Sequence, residues 1–490
     1  MELDSESESE IVRKKEKKHE FIKGVKSIIG ASLINLIYPS VFSLCPLAVY
    51  QTSYVKNRGG NVNINYTMFY YPVLLFFQSI FGLIAGVIYS RIEVHWTNYL
   101  GTLLLGTAGL IMYISASFFL DMVSISIYGI AIAIIMFPAT TNACKYFKNH
   151  IGLVNGIVET AISLGSSIFS FIGEQVINPK EEESREEDKF YEDYIAKRIK
   201  TFILIQIACY IGSFIVSLFL IKRYNEKKIT KKSDLLPFLT TTESDNNNNN
   251  NNNNANNEIK TKNYKDRRQK LIIALKSWEF WRYNLISLSQ SPVTDMVFAM
   301  YRGIGETKRI NQTALQLIST LNFIIEFILS FVFGVLCDYI NFKILLFSMN
   351  IIGTVVGFTY CLTFNNSFLF SVLTLAISVE SAAYYSLKDY HLMKVFGTDI
   401  YIDLSGFVCL MTGIVVIILT FITFWVEEYM GEAKKDVAYW IMFTIFGGIN
   451  GIGVIMGFFE EDVPFKYDDN DDIEDNIEKE QKNSKNNLFI

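Results

Sequence analysis

The chain has 490 residues, of which half are hydrophobic, 14% aromatic and only 19% charged, and its mean hydropathy is positive. A soluble enzyme of this length is seldom so apolar, and the composition points instead to an integral membrane protein. The net charge of -5 is spread over two tails and one linker; it forms no basic groove, which argues against a nucleic-acid partner.

The N-terminal tail, residues 1–26, runs acidic and then basic (ELDSESESEIVRKKEKK). The apolar stretch after it is long and has no small-residue cleavage site, so a retained first helix is expected rather than a cleaved signal peptide. A bilayer core of about 30 Å needs roughly 20 apolar residues as helix, because backbone groups in lipid must be satisfied within the segment. That criterion predicts helices near 27–50, 68–90, 97–118, 122–144, 152–175 and 201–221, a six-helix bundle over residues 27–221. Residues 222–276 follow as a polar linker containing SDNNNNNNNNNANNEIKTK, which has too little apolar surface to fold and reads as a solvated cytoplasmic tether. Such an asparagine run marks a biased genome composition rather than a functional device. Further helices are predicted near 280–301, 314–337, 342–363, 367–388, 404–426 and 437–459, a second bundle over 277–459, before an acidic tail at 460–490. The expected fold class is an all-α membrane protein of twelve transmembrane helices in two six-helix bundles.

Basic residues lie before the first helix (RKKEKK), after the sixth (KRYNEKK) and before the seventh (KDRRQK), which places both termini and the linker in the cytoplasm. The sequons at Asn65, Asn311 and Asn365 all fall in loops this topology puts outside. Six cysteines, in or beside apolar segments and without CxxC spacing, read as small buried hydrophobes. The four histidines read as tail or loop residues, so neither a metal site nor an intramembrane histidine relay is expected. No nucleotide loop or nucleophile elbow is present, so no covalent chemistry and no cofactor are expected.

Sliding the first half over the second by 248 residues lays FFQSIFGLIAGVIYSR (76–91) on IIEFILSFVFGVLCDY (324–339). Gly86 then falls on Gly334, Ser90 on Asp338, and Gln78 on Glu326. Halves that repeat at the same helix position are how many transporters are built, with the substrate site between them near the midplane. An aspartate at a helix C-terminus faces an unfavourable dipole and needs a partner such as the N-terminus of another helix or a basic side chain.

The run Gly334-x-Leu336-x-Asp338-x-x-Asn341-x-Lys343 resembles the loop signature of the major facilitator superfamily, with Tyr339 for the usual arginine and Asn341 for the glycine. The first-half copy keeps Gly86 and Arg91. The resemblance implies that Asp338 faces the start of the fifth helix near Lys145, Lys148 and Gly152, that Arg91 pairs with Asp399 or Asp403, and that these contacts act as gates. A second stretch, PATTNACKYFKNHIGLVNGIVETAISLGSSIF (138–169), is similar to the oxalate/formate and monocarboxylate branch, with Ile151 in place of that branch's arginine. Its Gly152, Gly156 and Gly165 also have a direct physical reading, since small residues let a neighbouring backbone come close.

Ionisable groups inside membrane helices are costly and usually mark a pathway. The candidates are Glu159, Asp295, Arg302, Glu326 and Glu380, with Asn35, Tyr38, Gln78 and Asn322 as polar neighbours. Glu326 lies 12 residues before Asp338, about 18 Å along a helix, and so near mid-membrane. A carboxyl held out of water can exchange a proton near neutral pH, which makes Glu326 a candidate coupling group; a packing role, hydrogen-bonded to Asn322, is the alternative. The carboxylate branch keeps an intramembrane basic residue in the eighth helix, and that position here is Ser330, leaving Arg302 as the cation expected to meet an anion. The resemblance implies a secondary carrier of small organic solutes of the monocarboxylate type (lactate, formate/oxalate or pantothenate), with protons as a possible coupling partner and the plasma membrane as the default location. The acidic residues equally permit an amino-acid or cationic-metabolite carrier. A transporter-like receptor or organelle scaffold is the remote reading.

Overall fold

The computed structural model describes residues 2–91, 94–147, 150–185, 189–221, 267–397, 400–431 and 434–458. The linker with its asparagine tract, the acidic C-terminal tail, Lys148 and Asp399 lie outside the described residues, as does the side chain of Arg91. Among the described residues, twelve long helices carry the fold: α1 (Glu2–Ile37), α2 (Tyr70–Arg91), α3 (Val94–Ile114), α4 (Phe118–Cys144), α5 (Ile151–Ile177), α6 (Ile199–Leu220), α7 (Trp278–Thr307), α8 (Gln312–Tyr339), α9 (Phe342–Thr359), α10 (Ser367–Phe396), α11 (Tyr401–Met430) and α12 (Lys435–Phe458). The end of the bundle where α6 stops and α7 starts is the linker end; the other is the far end.

Eleven of these helices are long and apolar enough to cross a membrane. The twelfth, α7, falls short because its buried face carries Asn284, Ser287, Gln290, Ser291, Thr294 and Asp295. A helix can keep that many polar groups at membrane depth only where protein or a water-filled cavity surrounds them. Two sequence-derived boundaries are corrected. The first helix ends at Ile37 and passes into a 3-10 segment, Tyr38–Leu44, before a short helix Ala48–Asn57, since Pro39 and Pro46 cannot supply the amide hydrogens a continuing helix needs. The tenth runs eight residues past 388, to Phe396, and stops where Gly397 adopts φ +88°, a conformation that a side chain disfavours. His391 is therefore not a loop residue; its buried ring stacks between Tyr283 of α7 and Phe342 of α9 at 4.4 and 4.3 Å.

The turn that opens the second-half motif has a local cause. Asn341, which stands where the motif has glycine, caps α9 by accepting the Lys343 N–H at 2.9 Å. The Lys343 ammonium lies 4.9 Å from the Phe458 ring, so its partner is an aromatic face rather than Asp338.

The two most extensive helix contacts in the protein join the halves, α5 with α8 and α2 with α11. Both depend on missing side chains. A Cβ on Gly156 would lie 2.9 Å from the Gly334 Cα, and one on Gly406 would lie 2.7 Å from the Leu83 amide nitrogen beside Gly82. Within the first half, Gly165 packs on the Leu36 carbonyl of α1. Helices this close gain dispersion contacts along their whole length without interlocking side chains. Replacing Gly156 by valine should therefore separate α5 from α8 at an overpacking cost of about 1–3 kcal/mol. Gly212→Val, at a site with nothing within 4 Å, should leave thermal stability unchanged when both variants are melted in the same detergent.

Candidate functional site: a cavity between the halves

A cavity of about 1170 Å³ of atom-free space, counted out to its mouth, lies between the two bundles. Its first-half wall includes Tyr71, Gln78, Phe137, Glu159 and Ser163; its second-half wall includes Asp295, Glu326, Tyr385, Lys388 and Asp389. Gln78 and Glu326, which the repeat superposes, therefore face the same space from α2 and α8.

The halves meet at both ends of this cavity. At the linker end, Asp338 Oδ2 accepts the backbone N–H of Leu153 in the first turn of α5 at 3.1 Å. The dipole there suits a carboxylate, and Gly152 leaves room for it, since a Cβ would lie 2.6 Å from Asp338 Oδ1. On the other side of the linker end, Gly86 packs directly against the Asp403 carboxyl. Asp403 forms an ion pair with Arg267 at 2.5 Å, from the helical stretch over residues 267–276 that precedes α7. Arg267, rather than Arg91, is the cation the structure describes beside that aspartate. At the far end, Arg302 of α7 bridges Glu174 of α5 at 3.1 Å and Glu306 at 3.4 Å. Tyr50 donates to Glu174 at 2.8 Å and Tyr191 to Glu306 at 3.1 Å. Phe69 also packs against Phe421 and Phe424, with centroids 5.4 and 5.2 Å apart.

Several candidate pathway residues are not on the cavity wall. Arg302, expected to meet a substrate anion, is committed to its two carboxylates at the far end. Asn35 bonds Thr140 at 3.4 Å and Tyr38 bonds Thr102 at 2.8 Å, tying α1 to α4 and the 3-10 segment after it to α3. Asn322 accepts from Ser378 at 2.7 Å and is not the partner of Glu326, which accepts from Ser381 at 2.5 Å. Glu380 is fully buried behind the wall, bonded by Asn450 of α12 at 2.7 Å; Gly353 of α9 makes the space for its carboxyl. These polar pairs mostly hold helices within one half.

Gln78, Asp295 and Glu326 do line the cavity. Asp295 accepts from Ser291 at 2.6 Å and, across the halves, from Tyr71 at 3.0 Å.

The residue that sequence reasoning missed is Lys388. A predicted helix end at 388 put it at a membrane boundary, whereas α10 continues and leaves it 5% exposed inside the protein. Its ammonium lies 3.6 Å from Cys409 Sγ, 3.9 Å from Asp389 Oδ1, and 5.5 and 5.3 Å from the rings of Tyr384 and Tyr385. A thiol is a weak acceptor and 3.9 Å is long for an ion pair, so the tyrosine faces supply much of its surroundings. Cys45 and Cys409 also face the cavity rather than lying wholly within the core.

The family model described as Major Facilitator Superfamily matches residues 3–170 and 284–484. Among solved structures, the chain resembles the proton:xylose symporter XylE, bound to 6-bromo-6-deoxy-D-glucose, at TM-score 0.62 and 12% identity over 89% of this chain and 95% of that one. FucP in its outward conformation matches at TM-score 0.56 and 14% identity, over 89% and 99% of the two chains. The human organic anion transporter MFSD10 matches at 0.57 and 10%, again over 89% and 99%. No curated protein matches the chain. At these identities the solved structures speak to the fold alone, two six-helix halves around a central cavity; the family model covers most of the chain, and this multi-pass membrane protein belongs to the Major Facilitator Superfamily.

Proposed function

We propose that the protein is a secondary carrier that moves a small organic solute bearing a carboxylate, of the monocarboxylate type, by opening the central cavity alternately at its two ends. The observation that carries this reading is Lys388, a buried cation on the cavity wall with no carboxylate among the described residues closer than 3.9 Å. Desolvating an ammonium costs several kcal/mol unless it is paired, and a substrate carboxylate would complete that pairing. Contacts across the halves at both ends suit a carrier with its solute enclosed. Asp338 on the α5 terminus and Asp403 with Arg267 are the proposed linker-end gate; Arg302 with Glu174 is its counterpart at the far end.

A second reading, an amino-acid carrier, is favoured by Asp295 and Glu326 on the same wall, where carboxyl groups would receive a substrate ammonium. The basic residues flanking α1, α6 and α7 favour a cytoplasmic linker end. That orientation is supported by Asn65, Asn311 and Asn365, all of which lie at the far end.

Purified protein in proteoliposomes, offered labelled lactate, oxalate, pantothenate, lysine and a neutral amino acid, should take up a carboxylate saturably. Uptake of the amino acids alone would move the assignment to the second reading, and transport of nothing would favour a receptor or scaffold. Lys388→Gln should raise KM for the carboxylate by about tenfold or more, the loss of one charge-assisted hydrogen bond; an unchanged KM would remove Lys388 from the site. Asp338→Asn should weaken the linker-end contact by about 0.3–1 kcal/mol, shifting the open population about two- to five-fold. Labelling of a cysteine placed in the cavity from the linker side would report that shift, and equal labelling rates would retire the gate.

A further inference from the structure

The cavity wall is uneven along its length. Lys388 stands at one level, and the rings of Phe42, Tyr71, Phe298 and Phe323 gather at another. Tyr71 fixes the spacing between the two. Its hydroxyl donates to Asp295 at 3.0 Å and lies 3.5 Å from the Tyr385 hydroxyl. Lys388 follows Tyr385 by three residues on α10, and Phe298 follows Asp295 by three on α7. Because α10 runs towards the linker end and α7 away from it, Lys388 and Phe298 fall on opposite sides of the Tyr71 contact. Each is about 4.5 Å from that level at a helical rise of about 1.5 Å per residue, which sets them about 9 Å apart along the bundle.

The ring cluster draws on both halves. Phe298 stacks on Tyr71 with centroids 6.2 Å apart and planes at 26°, Phe42 lies 6.4 Å from Tyr71, and Phe323 lies 6.2 Å from Phe298. Phe42 and Phe298 are only partly buried despite their place inside the bundle, and both open on the cavity. An aromatic face accessible at a cavity wall is a surface that a second ring or a hydrocarbon chain can cover. Charge on the wall is just as one-sided. Lys388 is the one cation among its described lining residues, against the carboxyl groups of Glu159, Asp295, Glu326 and Asp389. A second carboxylate on a solute would meet no cation there and would face those groups instead.

We propose that the solute is an amphipathic monocarboxylate, with its carboxylate on Lys388 and an aromatic or extended hydrocarbon body reaching the cluster of Phe42, Tyr71, Phe298 and Phe323. This rests on the carboxylate-carrier reading and narrows it. Formate or lactate seated on Lys388 stops short of the rings, and oxalate brings a second charge. A solute that reaches the rings touches Phe42 and Tyr71 of the first half and Phe298 and Phe323 of the second, so its body favours the state in which the halves close around it. The four aromatic residues thereby determine specificity, while Lys388 selects the charge.

Uptake of lactate, oxalate and 5-phenylvalerate, a five-carbon acid ending in a phenyl ring, tests this in proteoliposomes. KM for 5-phenylvalerate should lie about tenfold or more below that for lactate, the scale of one well-placed ring contact, and oxalate should not compete. Phe298→Ala should bring the two KM values together; Phe298→Leu, which keeps apolar volume but removes the ring, should give an intermediate ratio and covers the case in which the alanine variant fails to fold. Melting of the purified protein supplies a readout that needs no transport: 5-phenylvalerate should raise Tm, and lactate at the same concentration should raise it less. Equal KM values in the native chain, or a selectivity that both Phe298 variants leave intact, overturn the inference while the carboxylate-carrier reading stands. Stabilisation by 5-phenylpentylamine and by neither acid would remove the carboxylate from Lys388 and overturn both.

Discussion

The architecture depends on two places where helices from opposite halves touch backbone to backbone, Gly156 on Gly334 and Gly406 on the Gly82–Leu83 peptide. Lipid gives little hydrophobic reason for helices to associate, so attraction must come from close packing and polar contacts. Glycine supplies the packing without meshed side chains, and the same feature makes the contact reversible: two bare backbone surfaces part without any rotamer having to unlock. The halves are thus held firmly enough to enclose a cavity and loosely enough to exchange one closed end for the other.

The polar groups follow a matching division of labour. Asp338 and Asp403 sit beside those glycine contacts; the first adds a directional bond to the N-terminus of α5, and the second packs on Gly86 of α2 while paired with Arg267 from the stretch leading into α7. The two sites are related by the repeat with their roles exchanged. On one side the aspartate belongs to α8 and the glycine to α5; on the other the glycine belongs to α2 and the aspartate to α11. A degenerate motif in the first half is therefore no sign of a lost contact, because the carboxylate has moved to the facing helix.

Much of this was legible in the sequence, and the part that was not has a definable cause. Helix count, the two-bundle division and the pairing of Gln78 with Glu326 follow from segment length and internal repetition, which are properties of the chain read in order. Lys388 was lost because a hydropathy criterion ends a span at the first charges, whereas α10 ends eight residues later at Gly397. Arg302 was assigned to the substrate because it was the only basic residue recognised at depth. Its two carboxylates, one of them 128 residues away on α5, are apparent only once the helices are packed. Glu380 likewise reads as a pathway residue until Gly353 and Asn450, from two other helices, are seen to enclose it.

The buried charges sort by what surrounds them. Arg302 has two carboxylates within 3.4 Å, so its charge is paired within the protein even though its Nε and Nη2 make no hydrogen bond, and removing either carboxylate would strand that charge. Lys388 has a thiol, two aromatic faces and one distant carboxylate, so its compensation is incomplete. A protein that closes around a cavity with such an ammonium inside is more stable with an anion present than without one. That difference is what a carrier needs, because a ligand shifts an equilibrium only by binding one state better than the other. The incomplete pairing of Lys388 thereby links the composition of α10 to the direction in which the two halves would move.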